Sequence, residues 1–115
     1  CPAVSSYQEG LTGEGLAADY LVKRGYTVVA RRFRSRTGEV DLVARQGNTL
    51  YFIEVKYRPR GRLGSGLQAG TPDKRQRLKQ AARHYLKGAP SAYFIGCLEI
   101  TRAGVWFYPD ILHEV

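Results

Sequence analysis

Cysteine is scarce in this chain: two residues in 115, Cys1 and Cys97. Neither stands at a metal-ligand spacing, and the pair makes no disulfide framework. Cys97, inside an apolar run, is expected to be a small core residue. Long apolar runs are missing too. Nothing approaches the roughly 20 residues that a membrane-spanning helix needs, and no signal-peptide pattern is visible. The expected location is the cytoplasm, with no membrane partner. The chain does not begin with methionine, so further residues are expected upstream. No internal repeat, linker or composition break divides it, so residues 1–115 are expected to form one domain with a real core. Apolar residues make up 43% and there are 13 Phe, Tyr and Trp, which fits a folded globule.

Acid is the other shortage. The net charge is +8, and 15 of the 18 Lys and Arg fall between Arg31 and Lys87. That span holds only four acids: Glu39, Asp41, Glu54 and Asp73. A basic field around a small acidic centre suits a polyanionic ligand such as nucleic acid; the alternative is a merely soluble basic protein. Leu50–Tyr57 is rich in β-branched and aromatic residues and reads as a buried strand. Glu54 and Lys56 interrupt it and share one face, because strand side chains alternate. Glu39 and Asp41 share a face of the preceding run, Gly38–Val43. With Arg45–Thr49 as the turn, the two runs form an antiparallel hairpin in which Asp41 approaches Glu54 and Lys56 lies next to both. Paired carboxylates repel unless a cation sits between them. Mg²⁺ takes one or two carboxylates and completes its shell with water and phosphate. A neighbouring lysine can orient or deprotonate water, or steady phosphate charge. The pattern suits metal-assisted phosphodiester hydrolysis. A surface salt bridge on a hairpin is the competing reading.

Along the chain, residues 1–8 read as a loose tail and Glu9–Arg24 as a helix, with Thr12 as N-cap and Gly25 as its C-terminal glycine. Leu16, Ala17, Tyr20 and Leu21 form its apolar face. Gly10, Gly13 and Gly15 would permit close approach of a backbone. Glu14 is either an acid brought to the site or a solvated first-turn acid facing the helix dipole. Tyr26–Arg34 is the first strand, so the first three strands are expected to be an antiparallel meander. Pro59–Gly70 is a glycine-rich basic loop whose arginines, Arg60 and Arg62, suit phosphates. Thr71-Pro72-Asp73 opens a second helix and Gly88 ends it. Leu78, Ala82, Tyr85 and Leu86 form its buried stripe; Lys74 and Arg77 lie near the N-terminus, where a phosphate is favoured. His84 reads as a surface residue. Ser91–Thr101 and Val105–Tyr108 are the last two strands, turned by Arg102-Ala103-Gly104, with Trp106, Phe107 and Tyr108 as strand-edge aromatics.

The order helix, three strands, helix, two strands, with Asp41, Glu54 and Lys56 on the second and third strands, resembles the core of the PD-(D/E)xK nuclease superfamily. That group includes restriction endonucleases and Holliday-junction resolvases. More closely, the chain is similar to the YraN-type family of small, uncharacterised bacterial proteins. The runs that carry the likeness are Gly13-Glu14-x-x-Ala17-x-x-Tyr20-Leu21, Gly25-Tyr26, Arg31-Arg32-x-Arg34, Gly38-Glu39-Val40-Asp41-Leu42-Val43, Phe52–Arg58, and Lys74 followed by Leu78, Ala82 and Tyr85-Leu86. The resemblance implies a restriction-endonuclease-like α/β fold, order α-β-β-β-α-β-β, with a mixed central sheet flanked by helices. It implies a Mg²⁺ site at Asp41, Glu54 and the carbonyl of Val55, with Mn²⁺ as substitute, Lys56 as catalytic residue and Glu14 as a further acid. Val40 replaces the superfamily's proline, and Tyr93-Phe94-Ile95-Gly96 lacks the acid that family members often carry there.

Two functions compete. One is a Mg²⁺-dependent endonuclease acting on DNA, branched DNA being one candidate shape, with Arg34, Arg58, Arg60, Arg62, Lys74 and Arg77 holding the backbone and, by analogy with resolvases, a homodimer. The other is a non-catalytic nucleic-acid-binding module on a nuclease scaffold. A protein-interaction scaffold leaves the basic field unexplained.

Overall fold

The computed structural model describes residues 6–36, 38–58, 72–87 and 92–111, with helix side chains described from Gly13 and from Arg75 onward. Helix α1 (Ser6–Lys23) precedes strands β1 (Thr27–Arg34), β2 (Glu39–Gln46) and β3 (Thr49–Arg58); helix α2 (Pro72–Leu86) and strands β4 (Ala92–Thr101) and β5 (Gly104–Tyr108) follow. This is the expected α-β-β-β-α-β-β order. The five strands lie in the order β1-β2-β3-β4-β5. β1 to β3 form the expected antiparallel meander. The chain then crosses by way of α2, so β4 runs parallel to β3 and β5 returns antiparallel to β4. A parallel neighbour needs such a crossover, whereas a hairpin needs only a tight turn.

Several boundaries differ from expectation. α1 begins at Ser6, so residues 6–8 are helical and Thr12 lies within the helix instead of capping it. Glycines lower the intrinsic helix propensity there, but a helix is held mainly by the face it packs, and Ala17 and Leu21 are fully buried. α1 ends in paired bonds: the Tyr26 N–H donates to the Leu21 carbonyl at 3.0 Å and the Gly25 N–H to the Val22 carbonyl at 3.1 Å, with Gly25 at φ 90°. This is a Schellman close. The β2–β3 turn is only Gly47-Asn48; Arg45, Gln46 and Thr49 belong to the strands, with Arg45 paired to Leu50 and Gln46 to Thr49. Gly104 likewise belongs to β5. The loop Pro59–Gly70, Thr71, Gly88 and His113 lie outside the described residues. Among the described residues, no helix is long and apolar enough to cross a membrane.

The sheet separates two cores. Phe52, Val43, Val40, Ile95 and Cys97 pack with Leu78, Ala81 and Ala82 of α2. Ile53, Leu42, Ala44, Leu98 and Ile100 pack with Ala17 and Leu21 of α1. Alternation along β3 assigns Phe52 to one face and Ile53 to the other, as a period of two requires. Burying side chains of this size contributes about 1.5–3 kcal/mol each. The sheet is thus covered on both sides, which leaves its strand ends and flanking turns as the places for chemistry.

Candidate active site

β2 and β3 pair from Gln46–Thr49 as far as Leu42–Ile53 and no further. Beyond that point β2 stays with β1, to Glu39 opposite Arg34, and β3 stays with β4, to Arg58 opposite Thr101. The sheet therefore forks, and the first residues past the last pair are Asp41 and Glu54. Parting strands leaves backbone donors needing partners. Asp41 supplies one: its Oδ2 accepts the Val55 N–H at 2.9 Å. A strand residue's N–H and C=O face the same neighbour, so the Val55 carbonyl also faces the fork.

Asp41 and Glu54 line one cavity of about 80 Å³ together with Glu39, Arg77 and Leu78. That volume suits a few waters or a hydrated cation. Burial raises the Asp41 carboxyl above its ordinary value; the Val55 N–H opposes this, and the neighbouring charge of Glu54 adds to it. Two carboxylates sharing a small cavity suit a divalent cation, which would relieve their mutual repulsion. Together with the Val55 carbonyl they form an all-oxygen donor set of the kind Mg²⁺ prefers. The described residues contain no group of three or more His, Cys, Asp and Glu side chains placed to hold a metal. Any cation here would lean on water and substrate for the rest of its shell.

Glu14 is brought to this region. It is 7% exposed and its Oε1 lies 3.3 Å from the Arg32 Nε. It sits in the third turn of α1, so the reading as a first-turn acid falls away. Burial raises its carboxyl, Arg32 opposes the rise, and the Asp41 charge adds to it. The close approach at Gly13 is to protein, not to a phosphate backbone: a Cβ there would lie 2.5 Å from the Tyr57 Cβ. Gly13 thus lets α1 lie tightly on β3 one residue before Glu14.

Arg32 went unassigned in the sequence. It adopts φ 52°, in the left-handed region, which costs a non-glycine residue about 1–3 kcal/mol. The strand reverses its facing here: Ala30 and Phe33, three apart, both pack on the α2 side, as do their partners Val43 and Val40. The reversal frees Arg32 to meet Glu14 on the α1 side and to act electrostatically on Asp41. No local motif announces it.

Lys56 Nζ lies 3.3 Å from Glu54 Oε1, each side chain 14% exposed. The expected same-face pairing on β3 holds. Glu99 is the second residue the sequence reading passed over. It is fully buried and stands opposite Lys56 in the β3–β4 register. A buried carboxylate demands compensation, and a lone acid in the apolar run Ile95–Ile100 carried the same signal as Glu54 in β3. It also places an acid in the fourth strand, four residues past Ile95 and so outside the Tyr93–Gly96 stretch that lacks one. Cys97, opposite Glu54, is a core thiol: burial, with the Glu54 charge beside it, pushes it up to about 12.

The basic residues divide. Arg34 and Arg77 are exposed near the fork, and Arg77 lines the carboxylate cavity. Arg58 is exposed at the end of β3. Arg60 and Arg62 lie outside the described residues, as does the side chain of Lys74. His84 is exposed, with its ring 6.2 Å from that of Phe33.

A forked mixed sheet with an acid at the root of one tine and Glu-x-Lys at the root of the other defines a restriction-endonuclease-like domain of the PD-(D/E)xK, nuclease-like class. The profile of "Uncharacterised protein family UPF0102" matches residues 13–105, and the chain belongs to that family, also called the YraN family. It is 45% identical over 87 residues to a UPF0102 protein of Rhodopseudomonas palustris, covering 76% of this chain and 63% of that protein. It is 49% identical over 81 residues to one from Syntrophomonas wolfei, covering 70% of each. The chain thus spans about two thirds of the length of these relatives.

Proposed function

We propose that this domain is a metal-dependent endonuclease that hydrolyses phosphodiester bonds in DNA, with branched or junction DNA among the candidate shapes. The observation that carries this reading is the fork: Asp41 and Glu54 face one small cavity, with the Lys56 ammonium beside Glu54. Asp41, Glu54 and the Val55 carbonyl would hold Mg²⁺, or Mn²⁺ in its place. When bound, such a cation supplies Lewis acidity at the scissile phosphate. The chain's own groups do the positioning. The Val55 N–H fixes the Asp41 rotamer. Lys56, held by Glu54 and facing Glu99, presents a cation that orients water and offsets charge developing on the phosphate. Arg32 keeps Glu14 aimed beside Asp41.

One second reading stands beside it, a non-catalytic nucleic-acid-binding module on a nuclease scaffold. Cleavage of labelled duplex, single-stranded, flap and four-way-junction DNA with Mg²⁺ or Mn²⁺ separates the two. The nuclease reading expects metal-dependent cutting that EDTA and Asp41→Ala abolish. Binding without cutting on every substrate, with either metal, supports the module.

A further inference from the structure

A second cavity adjoins the first. It has a volume of about 400 Å³ and is lined by Arg34, Ser35, Arg36, Gly38, Glu39 and Arg77. Glu39 and Arg77 form the wall shared with the cavity of Asp41 and Glu54. We propose that this arginine-lined cleft binds the DNA phosphate that neighbours the scissile one, so that the strand enters the site across the shared wall. The proposal rests on the nuclease reading for the word "scissile", but the cleft's affinity for a phosphodiester backbone does not need cleavage.

Three guanidinium groups against one carboxylate give the cleft a positive balance, and guanidinium forks match phosphate oxygens in pairs. The cleft is also built, not merely charged. The β1–β2 turn is closed on itself: the Ser35 N–H donates to the Gly38 carbonyl at 2.8 Å, and the Ser35 hydroxyl donates to the same carbonyl at 3.1 Å. The Gly38 N–H lies 3.1 Å from the Ser35 Oγ. Gly38 then lies against α2 so closely that a Cβ would collide with the Arg77 carbonyl oxygen. The turn carrying Arg34 and Arg36 is therefore locked to the helix carrying Arg77, so the three arginines branch from backbone held at one spacing. A fixed spacing suits a repeating backbone phosphate. Continuity with the carboxylate cavity favours a nucleic-acid strand over a free anion.

Glu39 acts as the competitor. Its Oε2 lies 3.3 Å from the Arg34 Nε, both side chains being well exposed. An arriving phosphate takes the place of that carboxylate on Arg34 and meets its repulsion at the shared wall. Removing the Glu39 charge should then tighten binding.

The test uses fluorescence anisotropy of labelled DNA oligonucleotides in EDTA, across a salt series, so that no turnover is involved. Arg36→Ala should weaken binding about fivefold and reduce the salt slope by about one. Arg45→Ala and Arg102→Ala remove the same charge from exposed positions outside the cleft, and should change affinity less than about twofold. Glu39→Gln should bind more tightly than the unaltered protein. Inorganic phosphate, added as competitor at constant ionic strength, should displace the oligonucleotide weakly from the unaltered protein and less from Arg36→Ala. The proposal is overturned if Arg36→Ala behaves like the two controls, or if Glu39→Gln leaves binding unchanged or weaker. If no metal elicits cutting while the Arg36→Ala and Glu39→Gln shifts appear, the cleft stands and the nuclease reading fails.

Discussion

The two ends of the β2–β3 pair are made from the same two strands and do opposite things. At the Gly47-Asn48 end the ladder is closed from Gln46–Thr49 to Leu42–Ile53. Five register pairs hold the strands together there, and Leu42, Val43, Ala44, Phe52 and Ile53 are fully buried. At the other end the strands part. The donor at Val55 is satisfied by the Asp41 side chain, and Asp41, Glu54 and Lys56 are half-buried there. One end holds the fold together; the other stores unfavourable charge that a cation or substrate can relieve. Such a division is what a stability–activity trade-off looks like inside one hairpin.

Breaking the closed end should cost most in stability. Phe52→Ala removes the largest fully buried side chain and is expected to cost about 3–5 kcal/mol, read as a lower urea midpoint with m unchanged. A loss below about 1 kcal/mol would mean that the sheet core is not where stability resides.

At the open end, Glu54→Gln should instead leave the melting temperature within a few degrees and cut turnover by about 10²–10³, the usual effect of removing one preorganised charge partner. Equal losses of stability and turnover at both ends would erase the contrast.

Gly13→Ala tests the contact that seats Glu14. The added Cβ meets the Tyr57 Cβ at 2.5 Å, an overpacking worth about 1–3 kcal/mol. Gly15→Ala, with open space around its Cβ position, should be neutral or stabilising. If the two variants melt together, α1 does not lie on β3 as described.

The smallest effect carries an unusual sign. Burial raises the carboxyls of Asp41 and Glu14 above their ordinary values of 3.8 and 4.5. The folded state then binds more protons than the unfolded chain in that window. The stabilising contribution of these two groups is present below their unfolded values and is lost as pH rises through the folded ones. Asp41→Asn should therefore raise stability at pH 7 by about 0.5–2 kcal/mol while removing activity, and should lose that advantage near pH 4. Mg²⁺ should raise the melting temperature of the unaltered protein by linkage and not that of Asp41→Asn. A variant that melts lower at pH 7 would show that the Asp41 charge is stabilising after all.

Much of this was legible residue by residue. The strand runs were readable because apolar and β-branched residues cluster, and Glu54 and Lys56 share a face because strands have a period of two. Asp41 could be paired with Glu54 because only a short turn separates their strands. The segregation of basic and acidic residues and the α-β-β-β-α-β-β order were likewise in the sequence. Helix and turn boundaries were less so: glycines argued against a start at Ser6, and packing of Ala17 and Leu21 overrode them.

Only the tertiary structure decided which distant groups join the site. Glu14, Arg32 and Glu99 arrive from α1, β1 and β4, and nothing in their spacing along the chain encodes the meeting. The fork depends on where one ladder stops while two others continue. Arg32 faces Glu14 because the backbone turns left-handed at that one residue, and Glu99 faces Lys56 because a parallel crossover fixed the β3–β4 register. Local sequence sets what each strand can bury. Register and crossover, which are settled by summing packing over the whole sheet, set which charges are then forced together.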